Sequence, residues 1–563
     1  MRTIPCPRGA MFPSIRAAAS ECCGYLHRHD LTPSAVTGVR AARRVLQAGA
    51  VAIVLAAIPA PLFDLDRYQV PKELVLHVAA FGAAALAMRR VRRIPIALVD
   101  LLLLAFAALS AVSAALAPNG WLAFRALGVT LSGLAVFWTA QSIARAGIGR
   151  PLLITLAAAT VFGALTGLVQ AYGVDLPLTA AARAPGGTFG NRNFMAHLTA
   201  IGLPALVLIA LEARTRAGAA IAIACTGLAG AALLLSRSRA AWLAVTVGLA
   251  FFAVEGLIVS GLWREVRLRR RLAALATVAV AGVALATALP NALEWKSRNP
   301  YFESLVGVAN YREGSGRGRL VQYGNTLRMA GDHAVLGVGP GNWPVAYPLY
   351  TTPNDPAFDW NDPIPTNPWP SSDWVAHAAE RGLPALGVLM LAGFMIAFVG
   401  WRRSRRLGPN GEGLAGLTLG ATLLVTVVVG AFDAVLLLAA PTFIAWGIMG
   451  TLMPPQRAVL TLTPGIATRR LAIGLLLTTG AILTLRTTLQ AASMVVAGSG
   501  RSLRALEWGT RLDPGSYRLH YLAGEAARRR CRVVRSHAER ARELFPEHTA
   551  PVRLLRRCPA AAR

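Results

Sequence analysis

The chain has 563 residues, of which 55% are hydrophobic and only 15% are charged, yet its formal net charge is +30. So much apolar surface excludes a soluble globule, a disordered chain and a disulfide-stapled secreted domain, and it is typical of a polytopic membrane protein. Lysine occurs only at Lys72 and Lys296, and the arginines fall between apolar segments, which argues against nucleic-acid binding as the reason for the charge.

The first 45 residues are basic and lack the compact apolar core of a cleaved signal peptide, so we expect 1–45 to be a cytoplasmic tail. Apolar segments of membrane-spanning length follow. Nine precede a long polar loop, at 46–62, 73–88, 95–116, 121–143, 151–172, 194–211, 217–235, 241–261 and 272–290. Four come after it, at 381–400, 414–431, 433–453 and 471–490, and the middle two form a hairpin with Asp433 and Pro441 near its centre.

These segments predict an all-α polytopic integral membrane protein with about 13 transmembrane helices. Helices 1–9 occupy 46–290, and helices 10–13 occupy 381–490. A large external loop with the motif residues, 291–380, separates the two groups, and a small helical-repeat tail, 491–563, follows the last helix.

Arginine clusters alternate between the two ends of the predicted helices. They occupy every second connection, at Arg89–Arg93, Arg145 with Arg150, Arg214 with Arg216, Arg264–Arg271, Arg402–Arg406 and Arg469–Arg470. Because positively charged loops stay in the cytoplasm, we expect a cytoplasmic amino terminus. An odd number of crossings then puts the carboxyl terminus outside, which is the periplasm in a cell with two membranes.

The basic tail carries a weak internal repeat. The breaker pair Asp513-Pro514 recurs as Phe545-Pro546 after about 32 residues, close to the tetratricopeptide period. A cap on the membrane domain, a surface for a protein partner and contact with anionic lipid headgroups are all open interpretations of this tail. Cys531 and Cys558 are both expected on the oxidising side, where they form either a disulfide or two free thiols.

Candidate substrate-binding residues lie at the predicted outer ends of two helices. Asn191 and Asn193 follow a Gly-Thr-Phe-Gly turn, and each suits either helix capping or a hydrogen bond to a sugar hydroxyl. Arg237 and Arg239 open the eighth segment. A guanidinium at a helix N-terminus indicates a bound anion there, unless the side chain snorkels to lipid headgroups.

The large loop adds candidates for anion binding and proton transfer. Arg317 and Arg319 lie at the start of a stretch with helical spacing. Asp373, His377 and Glu380 are spaced i, i+4 and i+7, which gathers two carboxylates and an imidazole on one helix face. That face is either a catalytic proton-transfer site or a solvated helix end with Glu380 paired to an arginine. The sequence has no metal-ligand spacing, so we expect neither a metal nor a cofactor.

The ordered series of motifs resembles the O-antigen ligase and polymerase family. The matching segments are Val70-Pro71-Lys72, Gly187–Asn193, Ser238-Arg239-x-x-Trp242, Gly318-Arg319-Leu320, Asp332-His333, Gly337–Asn342 and Glu380-x-Gly382-Leu383-Pro384. The resemblance covers about residues 45–455 of the sequence. It implies a metal-independent glycosyltransferase that moves a sugar chain from undecaprenyl pyrophosphate to an acceptor hydroxyl, which in the ligases belongs to the lipid A core.

The resemblance also implies roles for individual residues. Arg239 and Arg319, helped by Arg317, would hold the pyrophosphate and stabilise charge as it leaves. Family ligases often carry a His-Asn pair where this chain has Ser371 and Ser372. Either Asp373 or His377 then replaces the usual base, or the acceptor differs, or transferase activity has been lost.

The sequence thus predicts a glycan ligase of the bacterial inner membrane. Its expected partners are a lipid-linked glycan donor, a lipid or glycan acceptor, the membrane itself and a protein bound through the tail, with no nucleic acid. Two alternatives stay open: a polysaccharide polymerase of the same fold, and a non-catalytic or transport component of polysaccharide assembly. A transporter is expected to show internal repeats and broken helices at the midplane, and the sequence has no convincing internal symmetry.

Overall fold

The computed structural model describes residues 33–558 except 90, 175–177, 180–183, 260, 262–263, 296, 298, 308–313, 353–354, 356, 360–361, 363–367, 408–410 and 529. The expected amino-terminal tail therefore lies mostly outside the described residues. The described chain is almost entirely helical, which confirms the predicted all-α membrane architecture.

The helices before the large loop are α1 (Pro33–Leu55), α2 (Asp66–Met88), α3 (Leu98–Ala115), α4 (Gly120–Arg145), α5 (Gly149–Ala171), α6 (Arg192–Glu212), α7 (Arg216–Ser236), α8 (Arg239–Phe251) and α9 (Val266–Ala288). A π-helix, Phe252–Val259, continues α8. The large loop contains α10 (Pro300–Val306), α11 (Gly314–Asp332) and α12 (Trp343–Ala346). After it come α13 (Asp373–Leu407), α14 (Gly411–Phe432), α15 (Ala439–Leu452) and α16 (Ile466–Ala497). The tail contains α17 (Leu503–Leu512), α18 (Tyr517–Ala527), α19 (Cys531–Leu544) and α20 (Thr549–Arg557).

Each of the thirteen predicted segments coincides with a helix, and eleven described helices are long and apolar enough to cross a membrane. The remaining two are α1, which begins in an arginine-bearing stretch, and α15, which has only 14 residues. At 1.5 Å per residue α15 spans about 21 Å, less than the roughly 30 Å of a bilayer core. The non-helical link 433–438 before it completes the crossing. Because α15 is buried on nearly every side, its short length leaves little backbone facing lipid.

The arginine-rich connections meet on one face of the helical bundle, which we call the arginine face. Arg150 pairs with Glu212 at 2.8 Å, and Arg267 donates to the Ala213 carbonyl at 2.7 Å. Arg403 donates to the carbonyl of Leu452. On the same face β1 (Ile94–Ile96) pairs antiparallel with β2 (Leu460–Leu462). The alternation of arginine clusters is therefore a spatial property of the fold, and the assignment of this face to the cytoplasm stays a prediction.

The tail packs on the opposite face, which we call the tail face. The Asn119 side chain, between α3 and α4, donates to the Leu544 carbonyl at 3.0 Å. Arg486, on α16, pairs with Asp513 at 3.1 Å. A disulfide joins Cys531 and Cys558, which is the first of the two alternatives left open by the sequence. Through these contacts the tail forms a cap on the bundle. The tetratricopeptide assignment stays a prediction.

Candidate functional site

The Gly-Thr-Phe-Gly turn is a tightly packed corner beneath the tail face. Buried Lys72 donates to the Thr188 carbonyl at 2.8 Å, which explains a lysine inside α2. Gly190 has φ 69°, and a Cβ there would lie 2.1 Å from the Tyr68 ring. Only glycine fits such a left-handed position against an aromatic side chain. The corner thereby fixes the start of α6.

The two asparagines that follow this corner have different partners. Asn191 accepts a hydrogen bond from the Asn193 backbone at 2.8 Å and caps α6. The side chain of Asn193 instead hydrogen-bonds Asp433, in the link before α15. Capping therefore accounts for Asn191, whereas Asn193 belongs to a polar cluster with Asp433.

Two arginines flank Trp295 on the tail face, and Arg239 interacts electrostatically with both of them. The guanidinium carbons of Arg237 and Arg192 lie 4.6 and 5.3 Å from its ring centre. Arg237 also donates to the Ser304 hydroxyl at 2.8 Å, and Arg239 donates to the carbonyl of Gly307. Both contacts reach α10 and the residue after it, so they fasten the large loop to the start of α8.

Like charges repel within this arginine group. Arg192 interacts electrostatically with Arg237 and Arg239. Burial lowers the pKa of Arg237, Glu303 and Tyr301 oppose that shift, and the Arg239 charge adds to it. Arg237 is also a non-glycine residue at φ 51°, a conformation that costs free energy unless its surroundings hold it. Such a group of guanidiniums suits a multiply charged anion.

A second polar cluster adjoins the arginine group through Ser238. The Ser238 hydroxyl lies 3.4 Å from Nε2 of His197, on α6. Nδ1 of His197 lies 4.0 Å from the Asp433 carboxylate. Arg319, half-buried on α11, interacts electrostatically with both His197 and Asp433. Arg317, two residues earlier, is exposed.

The predicted catalytic residues Asp373, His377 and Glu380 lie on α13 before the break at Gly382, and different neighbours hold each of them. Asp373 is fully buried, and its two oxygens accept hydrogen bonds from the Val435 and Leu436 backbones at 2.9 and 2.8 Å. Its carboxylate thus satisfies the non-helical link before α15. His377 is 3% exposed and stacks on Phe106 with an interplanar angle of 3°.

Glu380 lies at a junction between α13 and the large loop. It pairs with buried Arg381 at 3.4 Å and accepts a bond from the Trp343 backbone at 3.4 Å. The Gly339 backbone donates to the Glu380 carbonyl at 2.9 Å. Gly337 is needed for this close approach, because a Cβ there would lie 2.3 Å from the Glu380 carbonyl carbon. The expected pairing of Glu380 with an arginine is present, although inside the protein and not at a solvated helix end.

An apolar groove of about 540 Å³ runs along α13, α14 and α15. Its lining extends from Trp374 and Leu436 near the tail face to Phe251 and Trp401 near the arginine face. Leu436 is three residues after Asp433 in the same link. One end of the groove therefore lies at the link that begins with Asp433, and the groove extends from there into the membrane-spanning part of the bundle.

A comparison with protein-family models bears on the resemblance seen in the sequence motifs. Its matching model, described as O-antigen ligase, covers residues 224–390. Residues 224–390 are thus similar to the O-antigen ligase family. The resemblance seen in the sequence motifs is thereby confirmed for this stretch, and it supports an O-antigen ligase- or polymerase-like function in general. A search of curated proteins found no match.

The matched segment 224–390 contains the candidate residues Arg237, Arg239, Arg317, Arg319, Asp373, His377 and Glu380. The structure adds Arg192, His197 and Asp433 from outside the segment. Arg192 belongs to the Gly187–Asn193 motif, and Asp433 is visible in the sequence as a charge within an apolar segment. His197 gave no signal in the sequence, since a lone histidine on an apolar helix does not reveal what faces it.

Proposed function

We propose that the protein transfers a glycan from a polyprenyl pyrophosphate to an acceptor hydroxyl at the periplasmic side of the inner membrane. The observation that carries this proposal is a group of arginines on the tail face in a bundle that also has an apolar groove, one end of which is lined by Leu436. Arg192, Arg237 and Arg239 form one group, and Arg319 lies at the adjoining cluster. A pyrophosphate carries several negative charges, and its lipid requires an apolar path into the membrane.

In the proposed reaction the arginines bind the pyrophosphate and stabilise the charge that develops on the leaving oxygen. Guanidinium groups supply this stabilisation without a metal ion. The acceptor oxygen attacks the anomeric carbon, and the bond from that carbon to the pyrophosphate oxygen breaks. A lipid A core hydroxyl is the acceptor of a ligase, and a growing glycan chain is that of a polymerase.

The proposed orientation puts the tail face in the periplasm. The Cys531–Cys558 disulfide supports it, because structural disulfides persist in the periplasm and are rare in the cytoplasm. The arginine-rich connections of the opposite face support it as well. In this orientation the tail caps the outer end of the bundle.

The groove leads to a first prediction, the substitution Gly393→Leu. Gly393 lines the groove, and the leucine side chain would occupy space that the lipid chain of the donor needs. If the leucine displaces two methylene groups of the donor lipid from the groove, at about 0.8 kcal/mol each, the KM for the donor should rise about tenfold. A reconstituted transfer assay compares donors that have a long or a very short prenyl chain. Only the KM for the long-chain donor should rise.

The matched control for this prediction is Gly387→Leu. Gly387 is on the same helix, is not among the residues lining the groove, and has open space around its Cβ position. This variant should retain the wild-type KM for both donors. An equal rise for the short and the long donor in Gly393→Leu would contradict a lipid site in the groove.

The proposed function is tested by deleting the gene and analysing glycolipids. A ligase deletion leaves lipid A core without long chains while polyprenyl-linked glycan accumulates at the periplasmic side. A polymerase deletion leaves single repeat units on the acceptor. Normal glycan structures, or glycan retained at the cytoplasmic side, would contradict the proposed transfer. Complementation by the wild type and not by Arg239→Ala ties the defect to the arginine group.

A further inference from the structure

We propose that Asp433 is the general base of the transfer and that His197 positions its carboxylate. This inference rests on the proposed function and deepens it, because the chain has Ser371 and Ser372 where the family pattern often has His-Asn. Neither Asp433 nor His197 lies within the matched segment 224–390.

The Asp433 carboxylate lies at the start of the buried link, whose Leu436 lines the apolar groove, and it interacts electrostatically with Arg319. One oxygen accepts a hydrogen bond from the Ala434 backbone at 2.9 Å, and the Asn193 side chain also bonds the carboxylate. Its side chain is 12% exposed. The carboxylate therefore combines a fixed orientation with an opening toward a substrate.

His197 lies behind this carboxylate and is only 1% exposed. Its Nδ1 is 4.0 Å from the second oxygen of Asp433 and makes no hydrogen bond within the described part of the chain. A polar nitrogen buried without a hydrogen bond is costly, so its retention here calls for a reason. A small shift of either side chain closes this gap into a hydrogen bond when a substrate fills the site.

The two other candidate carboxylates, Asp373 and Glu380 on α13, are already committed to structural contacts. Both oxygens of Asp373 accept backbone hydrogen bonds, and the residue has no exposed surface. Glu380 is 1% exposed and paired with Arg381. A general base must come within hydrogen-bonding distance of the proton that it removes. Asp433 meets this requirement with a smaller rearrangement than either of these residues.

The position of Asp433 also fits the unusual Ser371-Ser372 pair. The Ser372 hydroxyl donates to the Gly430 carbonyl at 3.2 Å. The Tyr323 hydroxyl lies within 2.6 Å of the Ser371 carbonyl and 3.0 Å of the Ala431 carbonyl. These contacts hold the serine pair against the end of α14, two or three residues before Asp433. The carboxylate thus lies beside the position that the family pattern fills with a base.

In the reaction Asp433 accepts the proton of the acceptor hydroxyl while its oxygen forms a bond to the anomeric carbon. The bond between that carbon and the pyrophosphate oxygen breaks, and its electron pair leaves with the polyprenyl pyrophosphate. Asp433 then releases the proton to water. The charge of Arg319 opposes the burial that disfavours an ionised Asp433 carboxylate. In the proposed step, Arg319 also lies next to the leaving group.

The test compares Asp433→Asn with the wild type in proteoliposomes that contain a polyprenyl-pyrophosphate glycan and an acceptor. Loss of a general base reduces kcat by about 10²- to 10⁴-fold. Binding of polyprenyl pyrophosphate alone should not weaken, because the substitution removes a negative charge beside an anion site. In the wild type, kcat/KM should fall toward acidic pH because Asp433 becomes protonated. In Asp433→Asn this fall should disappear. His197→Gln should lower kcat less and shift the midpoint of that fall, which a purely structural role would leave unchanged.

Asp359→Asn, an exposed carboxylate of the large loop, is the control and should behave as the wild type. Unchanged kcat in Asp433→Asn would overturn the inference while leaving the proposed function intact, whereas an inactive wild type would overturn the proposed function itself. If the Asp433→Asn protein does not accumulate in the membrane, the variant Asp433→Glu tests the assignment of Asp433 as the base instead. Because this variant keeps the carboxylate, it should retain transfer, and the pH at which kcat/KM falls on the acidic side should shift. An unchanged pH for that fall would contradict the assignment.

Discussion

Replacing Arg319 with alanine is expected to reduce glycan transfer by about 10²- to 10³-fold, the effect of removing one preorganised donor to developing negative charge. Arg319 is half-buried on α11 and faces both His197 and Asp433. Its guanidinium is therefore held at the point where the acceptor, the base and the pyrophosphate would meet. The rate is measured in the reconstituted assay, together with the amount of protein in the membrane.

Two further substitutions show whether position or charge alone produces this effect. Arg319→Lys keeps the charge without the forked donors and should recover only part of the rate. Arg328→Ala removes an exposed positive charge from the same helix, so transfer should persist. Equal losses in Arg319→Ala and Arg328→Ala would indicate a general effect of charge, and full activity in Arg319→Ala would remove the residue from the pyrophosphate site.

Gly382→Ala is expected to have the largest effect on folding. Gly382 has φ 82°, and a Cβ there would lie 2.2 Å from the Val335 carbonyl oxygen. The left-handed backbone alone costs about 1–3 kcal/mol with a side chain, and the contact with backbone atoms adds to that cost. The junction of α13 with the large loop should open, which lowers the thermal unfolding temperature of the detergent-solubilised protein and abolishes transfer.

Gly387→Ala is the matched control for this substitution. Gly387 is one turn further along the same helix, and nothing lies within 4 Å of its Cβ position. Alanine favours helix relative to glycine, so this variant should unfold at the wild-type temperature or above it. If Gly382→Ala is as stable as Gly387→Ala, the close approach of Gly382 to the Val335 backbone is not required for folding.

The fold was largely predictable from the sequence because bilayer thickness sets the length of apolar segments. All thirteen predicted segments are helices, and the 433–453 segment differs only in its first residues, which form a non-helical link. The sequence did not reveal why that link is tolerated. The Asp373 carboxylate satisfies its backbone from a different helix, and such a contact between residues 62 apart in sequence follows from packing alone.

The candidate site was predictable only in part. Arginines beside a membrane are costly and therefore conspicuous, so the arginine groups were found from the sequence. The i, i+4, i+7 spacing of Asp373, His377 and Glu380 suggested one shared site, but spacing along a helix does not specify which neighbours satisfy each side chain. The cluster of Asp433, His197 and Asn193 joins α6 to the link before α15, and sequence separation concealed it. The catalytic roles of all these residues stay predictions.

The central claim is tested most directly by purifying the wild-type protein, reconstituting it with a polyprenyl-pyrophosphate glycan and a lipid A core acceptor, and adding EDTA. The expected products are glycan covalently joined to the acceptor and one polyprenyl pyrophosphate released for each linkage formed. A donor that stays intact, a glycan that is released only as free sugar, or a transfer that requires a divalent ion would contradict it.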